Sequence, residues 1–310
     1  MSSIAIILLN YNSTRLTKKC VHSLLAQKDK DDEYQIIVFD NDSKIPPKKD
    51  EFKDCDLVHS KKNLGFAQGN NVAVTHVNGS VDYLLFINND TRVGKAMVSE
   101  LISSFNSDPD SGLVVPKIYF EKEYEFYAKE YSNSQRGRVI WYAGGGIDWQ
   151  NMILFHKGVD EVDRGQFEKA GEEEQFATGC CFLTTPAIWK TLKGFDPKYF
   201  LYYEDADLSM RLRKKLHKKI RFAPRAILYH QNAGSSDGSG SQVHQYYQTR
   251  NRLRFGLRYS PRRTKLALLN EARRLFITGN GAVKLGILHA LGGQWGNQTT
   301  KIPVEKALAS

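Results

Sequence analysis

Apolar segments of strand length alternate with helical segments through the first 120 residues of the chain. The apolar segments cover residues 4–9, 34–39, 56–59, 82–87 and 113–120. Between them apolar residues recur at helical spacing, as at Leu16, Cys20 and Leu24. Strands that alternate with helices build a mostly parallel sheet with helices on both faces. The pattern therefore predicts the α/β fold class, with a mostly parallel central sheet flanked by helices.

Polar side chains follow three of these predicted strands directly. The three clusters are Asn10-Tyr11-Asn12, Asp40-Asn41-Asp42 and Asn88-Asn89-Asp90. Asn and Asp favour turns, and this preference accounts for any one cluster taken alone. Three clusters in succession indicate more, because the carboxyl ends of parallel strands meet at the edge where open α/β sheets bind their ligands. We therefore predict a nucleotide cleft at this edge.

Asp90 offers a carboxylate at the end of a buried strand. Carboxylate oxygens suit Mg²⁺ or Mn²⁺, and such ions need only one or two protein carboxylates when phosphates supply further ligands. Asp90 is therefore a candidate ligand for a divalent metal that also binds a diphosphate.

A second acidic cluster, Glu204-Asp205-Ala206-Asp207, precedes leucines at four-residue spacing and so predicts the start of a helix. Asp207 lies four residues before Arg211, which predicts an ordinary surface ion pair. Glu204 and Asp205 follow the aromatic run at 199–203, where partial desolvation makes a carboxylate a better base. A metal-binding carboxylate and a distant base are the minimal set for moving a group off a diphosphate.

Residues 122–175 lose the regular pattern and contain three consecutive glycines at 144–146. These glycines do not form a dinucleotide-binding fingerprint, which needs a G-x-G-x-x-G sequence between a strand and a helix. We predict a flexible loop over the acceptor. Order returns at 176–184, followed by a helix that begins at Thr185-Pro186 and ends near Gly194.

His230 ends a short apolar run and precedes a stretch rich in glycine and serine that extends to Ser241. A single His is often merely packed or exposed, so contact with a metal or diphosphate is one of two open interpretations. Arg250-Asn251 and the basic residues around them could neutralise a departing diphosphate.

The net charge of +10 is concentrated in the last quarter of the chain. The basic residues there are Arg250, Arg252, Arg254, Arg258, Arg262, Arg263, Lys265, Arg273 and Arg274. A basic surface attracts the phosphates of nucleic acids, anionic lipids or nucleotides, and a merely solvated surface is the alternative. No nucleic-acid-binding motif is visible, so we expect no nucleic acid partner.

The four cysteines, Cys20, Cys55, Cys180 and Cys181, show no metal-binding spacing and no paired framework, which favours reduced structural cysteines in a cytosolic protein. The amino terminus lacks a basic region before its first apolar segment, so residues 4–9 predict a strand rather than a signal peptide. No apolar run approaches the roughly 20 residues that a membrane helix needs. We expect a cytoplasmic protein.

An ordered set of short motifs gives the chain a strong resemblance to inverting family 2 glycosyltransferases of the GT-A fold, especially their rhamnosyltransferase-like branch. In the first half the motifs are Leu9-Asn10-Tyr11-Asn12, Asp40-Asn41-Asp42-Ser43, Asn63-Leu64-Gly65-Phe66-Ala67-Gln68-Gly69-Asn70-Asn71 and Asn88-Asn89-Asp90-Thr91. In the second half they are Thr178-Gly179-Cys180, Gly194-Phe195-Asp196, Tyr203-Glu204-Asp205-Ala206-Asp207-Leu208 and His230. Each motif alone is weak, but the ordered set is specific and extends from Ile4 to about Arg254.

The resemblance implies roles for individual residues. Asp90 would bind Mg²⁺ or Mn²⁺ with His230, and Asp205 would be the catalytic base with Glu204 beside it. The implied donor contacts are Asn10, Tyr11, Asn12, Asp40, Asn41, Gly65, Asn70, Asn88, Asn89 and Arg250. Two positions depart from the family: Cys180 replaces a small alanine, and Asn88 replaces the first carboxylate of Asp-x-Asp, which should weaken metal binding without the donor.

The resemblance also implies an organisation and a reaction. Residues 1–120 would form a Rossmann-like nucleotide-sugar-binding half, residues 121–240 an acceptor and catalytic half, and residues 241–310 a basic helical extension. The chain would transfer L-rhamnose from dTDP-rhamnose to a glycan in cell-surface polysaccharide synthesis, with galactofuranose or a hexose from UDP as the alternative. A lipid-linked acceptor and peripheral attachment to the cytoplasmic face of the inner membrane would follow. Near the carboxyl terminus Leu253, Leu257, Leu266 and Leu269 alternate with arginines, which suits an amphipathic helix on anionic lipid.

Two other functions remain open from the sequence. A nucleotidyltransferase would share the fold class and the metal but needs a glycine-rich phosphate loop with Arg or Lys after the first strand, which residues 10–14 do not provide. A non-catalytic nucleotide- or glycan-binding module would have no reason to keep both Asp90 and the Glu204-Asp205 pair.

Overall fold

The computed structural model describes residues 2–28, 32–169, 173–232 and 240–303. The strands are β1 (Ser3–Asn10), β2 (Glu33–Asp40), β3 (Asp56–His59), β4 (Tyr83–Ile87), β5 (Thr91–Val93), β6 (Ser111–Phe120), β7 (Ile140–Tyr142), β8 (Gly145–Asp148), β9 (Ile153–His156), β10 (Cys181–Thr184) and β11 (Lys219–His230). The helices are α1 (Thr14–Ala26), α2 (Gly65–Val74), α3 (Met97–Asn106), α4 (Pro186–Leu192), α5 (Glu204–Arg211), α6 (Gln242–Tyr259), α7 (Arg262–Thr278) and α8 (Gly281–Leu291).

One nine-stranded sheet forms the centre of the described residues, in the order β3-β2-β1-β4-β10-β6-β11-β5, with β7 paired to β6. Strands β3, β2, β1 and β4 are parallel, as the alternating sequence pattern predicted. Strand β10 runs antiparallel between β4 and β6, and β5 runs antiparallel to β11. Strands β6 and β11 form a second parallel pair. The sheet as a whole is therefore mixed, and its four-stranded parallel part lies in the first half of the chain.

The parallel part of the sheet holds the core. Residues 4–8 of β1 are fully buried, and so are most residues of β2 and β4. Helix α1 covers this core with Cys20 and Leu24, two members of the apolar pattern seen in the sequence. Because consecutive parallel strands place their carboxyl ends at the same edge, residues 10–12, 40–42 and 88–90 all emerge there.

The three glycines at 144–146 do not lie in the predicted flexible loop but enter a hairpin of β8 and β9. A side chain at Gly145 would place its Cβ 2.3 Å from the carbonyl oxygen of Phe176, and one at Gly146 would place it 2.2 Å from the ring of Phe155. Glycine is needed here because neighbouring groups approach the backbone closely.

The last helices pack against the helix that carries the Glu204-Asp205 pair, which agrees with the predicted helical extension. Ala206 and Met210 of α5 share a buried cluster with Leu253 of α6 and Leu268 of α7. In the described part of the chain, no helix has the length and apolarity required to cross a membrane. All four cysteines are free and buried, in agreement with the prediction of reduced structural residues.

Candidate active site

The ends of β1 and β2 are joined by a buried polar network. Asn10 donates from its side-chain amide to Asp40 Oδ1 at 2.8 Å and to Ser43 Oγ at 3.1 Å. Its own carbonyl oxygen accepts from the Thr17 hydroxyl at 2.7 Å, and Ser43 donates to Asp40 at 2.6 Å. Asn10 and Asp40 are at most 1 % exposed. Asn10 and Asp40 were both predicted to contact the sugar donor, but their side-chain polar atoms are already hydrogen-bonded to other protein groups. The two residues therefore shape the edge of the sheet.

Asn41 links the end of β2 to the amino terminus of α2. Its side-chain amide donates to Asn63 and to the Gly65 carbonyl oxygen, both at 3.2 Å, while its own oxygen accepts from Leu64 N at 2.8 Å. Asn70, also buried, donates back to the carbonyl oxygen of Phe66 within α2. Asn41 and Asn70, both predicted to contact the donor, thus orient the start of α2, whose first backbone amides donate to Asn63 and to the carbonyl oxygen of Phe200.

Tyr11 and Asn12 lie further out at this edge than Asn10 does. Tyr11 is partly exposed and Asn12 is exposed. Asn12 adopts a left-handed backbone with φ of 54°, and its amide donates to Ser43 while its side chain accepts from Lys44 N. Of the predicted donor residues after β1, these two are the ones positioned to contact a ligand.

Asn88 and Asn89 connect the end of β4 to neighbouring elements. Asn89 donates from its side-chain amide to Ser13 Oγ at 2.7 Å and to Thr17 Oγ1 at 2.8 Å. The backbone amide of Asn88 donates to the carbonyl oxygen of Cys180 at 2.8 Å. The turn that presents Asp90 is therefore fixed from both sides.

Asp90 and His230, the two metal ligands that the family resemblance implies, lie next to each other at the sheet edge. Antiparallel pairing of β5 with β11 sets His230 opposite Thr91, and His230 Nε2 lies 3.2 Å from Asp90 Oδ1. His230 is buried and its Nδ1 has no hydrogen-bond partner among the described residues, whereas Asp90 retains 14 % side-chain exposure. One carboxylate and one imidazole suit a divalent cation that takes its remaining ligands from phosphate and water.

No group of three or more acidic, His or Cys side chains with metal-binding geometry occurs in the described ranges. Within the described ranges, Asp90 and His230 are two side chains of this kind that meet at the sheet edge, and a bound diphosphate could supply further ligands.

Trp141 on β7 is a residue of this site that the sequence did not indicate. Its ring packs edge-on against His230 at 4.5 Å and against His156 at 4.4 Å between ring centroids. Burial lowers the pKa of His156 to about 4, so its ring is neutral, and Nδ1 donates to the Trp141 carbonyl oxygen at 3.1 Å. In the sequence, Trp141 is recognisable only as an aromatic residue in a segment without regular periodicity.

The short segment before β10 joins the two acidic motifs. Cys180 accepts from Asn88 N through its carbonyl oxygen, and the Gly179 amide donates to Asp205 Oδ2 at 2.9 Å. Asp90 and Asp205, which lie far apart in the sequence, are therefore held on either side of one short strand end. The sequence analysis singled out the motif at 178–180 but did not reveal that this segment connects the two acidic motifs.

Asp205 and Glu204 differ in their surroundings. Asp205 is partly exposed and accepts from the Gly179 and Ala206 amides, whereas Glu204 is 5 % exposed with no hydrogen-bond partner for Oε2 among the described residues. Burial raises the pKa of the Asp205 carboxyl above its ordinary value, and the two amides oppose the rise. Burial and the charges of Asp205 and Asp207 raise the pKa of Glu204 well above its usual range. Asp205 is the better placed carboxylate.

Asp207 does not form the predicted surface pair with Arg211. The two side chains are 2.6 Å apart and buried, with 0 % and 8 % side-chain exposure. Asp207 also accepts from Arg258 at 3.0 Å and from the Tyr259 hydroxyl at 2.8 Å. The sequence spacing was right, but α6 covers this face of α5, so the pair lies inside the protein.

Arg250 also lies in a different environment from the one predicted. Its side chain is fully buried and donates to the carbonyl oxygens of Lys198, Tyr199 and Gly296. A guanidinium that donates to these carbonyl oxygens is not free to bind a diphosphate. Arg250 therefore does not have the donor-binding role that was predicted for it. The basic residues that follow on α6 are also paired: Arg252 with Glu271, Arg254 with Asp196 and Arg258 with Asp207.

The stretch after His230 that the sequence indicated as a glycine- and serine-rich loop lies mostly at 233–239, outside the described residues. Strand β11 ends at His230, and Ser241 already caps α6 by accepting from the backbone amide of His244.

Comparison with known structures supports the fold. GalNAc-T7 with UDP, GalNAc and Mn²⁺ aligns with a TM-score of 0.63 and 14% identity, over 93% of this chain and 54% of that chain, so this chain spans about half the length of that protein. Mannosyltransferase PcManGT from Pyrobaculum calidifontis, with GDP-Man and Mn²⁺, aligns at 0.53 and 13%, over 95% and 76%. S. aureus TarS 1–349 with UDP-GlcNAc aligns at 0.55 and 15%, over 94% and 80%. The predicted GT-A fold is confirmed.

No curated protein sequence matches the chain. The family model for glycosyl transferase family 2 matches residues 5–163, which include the parallel strands, the cluster at 40–42 and Asp90. That match covers more than half of the chain. The protein belongs to glycosyl transferase family 2.

Proposed function

We propose that this protein is an inverting glycosyltransferase that moves a sugar from a nucleoside diphosphate donor to a hydroxyl of a glycan acceptor. The observation that supports this most directly is the bridge at Gly179 and Cys180, with the Asp90–His230 pair on one side and Asp205 on the other. This supports the proposal because one short segment connects a pair suited to a metal-bound diphosphate with a carboxylate suited to act as a base.

In the proposed reaction Asp205 accepts the proton of the acceptor hydroxyl as its oxygen attacks the anomeric carbon. The new carbon–oxygen bond forms on the face opposite the diphosphate, the bond to the diphosphate oxygen breaks, and the configuration inverts. The Gly179 amide fixes the orientation of the accepting carboxylate. A divalent cation held by Asp90 and His230 would stabilise the negative charge of the leaving diphosphate.

Glu204 has a supporting role in this proposal. Burial and the charges of Asp205 and Asp207 raise the pKa of Glu204, which disfavours a second negative charge beside Asp205. This leaves one carboxylate to act as the base.

The donor we propose is dTDP-L-rhamnose, on the basis of the motif resemblance, with cell-surface polysaccharide synthesis as the process. The alternative is a UDP-linked galactofuranose or hexose, since two of the structurally similar proteins are described with UDP or UDP-GlcNAc and a third with GDP-Man. A non-catalytic module that binds nucleotides or glycans is the alternative of a different class.

Calorimetric titration of dTDP, UDP and GDP into the protein, with and without Mn²⁺, tests this proposal. We expect one nucleotide to bind at least about tenfold more tightly with Mn²⁺, because Asp90 and His230 leave most of the metal's ligands to be supplied by the diphosphate. The donor sugars carried by that nucleotide then define the activity assay. If no nucleotide binds in either condition, the proposal of a donor cleft is wrong.

We further propose a lipid-linked acceptor and peripheral contact with an anionic membrane through α7. The face of α7 that points away from the core exposes apolar and basic side chains together. The apolar ones are Leu266, Leu269, Phe276 and Ile277, and the basic ones are Arg262, Arg263, Arg273 and Arg274. The only acidic residue of α7, Glu271, faces α6 and pairs with Arg252. Apolar groups flanked by arginines suit the interface of anionic lipid.

This replaces the broader prediction made from the sequence, in which Leu253 and Leu257 also took part. Leu253 is 4 % exposed and belongs to a buried cluster, and Leu257 is only partly exposed. The membrane surface that we propose is therefore confined to α7.

Reversing two arginines of α7 should release the protein from anionic vesicles. Each basic residue near such a surface contributes about 1 kcal/mol, so R273E/R274E should lower the partition coefficient by at least roughly 30-fold. Sedimentation with vesicles of equal parts phosphatidylglycerol and phosphatidylcholine measures this. The control K48E/K49E makes the same charge change at two exposed lysines far along the chain and should have a much smaller effect. Equal losses in both variants, or no binding by the unaltered protein, would refute the α7 surface.

A further inference from the structure

The segment that leads into α5 has an unusual backbone. Phe200, Tyr202 and Tyr203 all adopt left-handed conformations, with φ of 65°, 69° and 70°. Residues other than glycine avoid this region, and aromatic residues have no local means to stabilise it. Such a conformation persists only where surrounding groups hold it, and it often marks a functional position.

Two buried side chains of α6 hold this segment by its carbonyl oxygens. The Asn251 amide nitrogen lies 2.9 Å from the oxygen of Tyr199, 2.7 Å from that of Leu201 and 2.9 Å from that of Tyr202. Arg250 donates to the oxygen of Tyr199 at 2.7 Å and to that of Lys198 at 3.2 Å. Both side chains are 0 % exposed, so water does not compete for these bonds.

The opposite side of the segment is held by α2. The Phe200 carbonyl oxygen accepts from the amides of Phe66 at 2.7 Å and Ala67 at 3.3 Å. Any side chain at Gly65 would place its Cβ 2.3 Å from the Phe200 ring. Together, α2 and α6 bind the carbonyl oxygens from Lys198 to Tyr202.

The held segment determines where α5 begins. Tyr203 is the N-cap of α5, and Asp205 is the second residue of that helix. From this position Asp205 meets the Gly179 amide at 2.9 Å. A change in the backbone at 200–203 would therefore move the carboxylate away from Gly179, even if α5 itself stayed helical.

We propose that Arg250 and Asn251 are positioning residues for the transfer reaction, which fix Asp205 beside Gly179 by holding the left-handed segment before it. This inference rests on the proposed function, in which Asp205 is the catalytic base and its position therefore matters. Neither residue touches the donor or the acceptor in this proposal. They act through the backbone at 198–203.

Amide hydrogen exchange at Gly179 tests the positioning without any substrate. In N251D the side chain keeps its shape, but a carboxylate cannot donate to the three carbonyl oxygens. We expect exchange at Gly179 to become at least tenfold faster, although Asn251 does not contact Gly179. The control L101A removes a fully buried side chain of α3, lowers stability generally and should leave exchange at Gly179 unchanged relative to other protected amides.

A kinetic measurement separates positioning from a general loss of stability. With the nucleotide sugar that the titration selects, N251D should lower kcat by about 100-fold while KM for the donor stays within about twofold. R250K, which keeps one charged donor for the same carbonyls, should retain more activity than R250A. If N251D matches L101A in both exchange and kcat, the inference is wrong while the proposed function stands.

If the unaltered protein consumes no nucleotide sugar, the proposed function fails, and exchange at Gly179 alone decides whether the two residues hold the carboxylate. If N251D does not fold, R250K and R250A decide the same point. Lysine keeps one charged donor for the carbonyl oxygens of Lys198 and Tyr199, whereas alanine keeps none. Exchange at Gly179 should be faster in R250A than in R250K; equal exchange in the two would overturn the inference.

Discussion

Asp205→Asn should lower the turnover number by about 10²–10⁴-fold, the usual contribution of a general base. The amide still fills the space beside Gly179 but cannot take the proton of the acceptor hydroxyl. Metal-dependent nucleotide affinity should stay within about twofold of the unaltered protein, because Asp205 lies across the strand end from Asp90. Steady-state kinetics and calorimetry on the same preparation measure the two quantities.

Glu204→Gln is the matched control for this variant. Glutamine keeps the size and shape of the Glu204 side chain, and the proposed reaction gives Glu204 no part in the proton transfer, so turnover should fall far less than in Asp205→Asn. Preserved turnover in Asp205→Asn together with a large loss in Glu204→Gln would reverse the two assignments.

The pH dependence of the turnover number should also identify Asp205 as the base. A base must be deprotonated to act, so the rate should fall as the pH drops through the pKa of Asp205. Burial raises that pKa above its ordinary value, so the acidic limb of kcat against pH should lie above the range of an exposed aspartate. The limb should be missing from whatever residual activity Asp205→Asn retains.

Asp90→Ala should remove the metal-dependent part of nucleotide binding. Asp90 supplies the carboxylate of the Asp90–His230 pair, so without it the affinities with and without Mn²⁺ should come within about twofold of each other, whereas they differ by at least about tenfold in the unaltered protein. Titration of the selected nucleotide with and without Mn²⁺ measures the difference between the two affinities.

Asp42→Asn provides the comparison for that experiment. Asp42 is an exposed acid at the same edge of the sheet, so this variant makes the same change in net charge without touching the Asp90–His230 pair. It should keep the Mn²⁺ effect. An unchanged Mn²⁺ effect in Asp90→Ala would refute the role of Asp90.

The sequence predicted the parallel half of the fold well because its signals are local. A fully buried strand such as residues 4–8 needs a continuous apolar run, and the turn after it needs Asn or Asp, so both features are readable in order along the chain. The same reasoning placed Asp90 at the sheet edge and found the start of α5. Strand β10 was harder to predict, because it has only four residues between the motif at 178–180 and the start of α4.

The predictions that failed concern contacts between distant segments. Arg250 and Asp207 look like surface residues in the sequence, because the spacing within one helix does not reveal which other helix covers it. Their partners, such as Tyr199 and Arg258, lie about 50 residues away. The prediction for the glycines at 144–146 failed for the same reason, since the groups that lie close to them come from β9 and from Phe176.

The place of β10 in the sheet affects how the chain can be synthesised. Strand β4 ends at Ile87, but its partner begins only at Cys181. At about 5–20 residues per second, a ribosome needs on the order of 5 to 20 s to deliver it. During that time the apolar edge of β4 is open to pairing with other nascent chains. Strands β5 and β6 wait in the same way for β11. Protection of such open edges during synthesis would then help to determine the yield of folded protein in a cell.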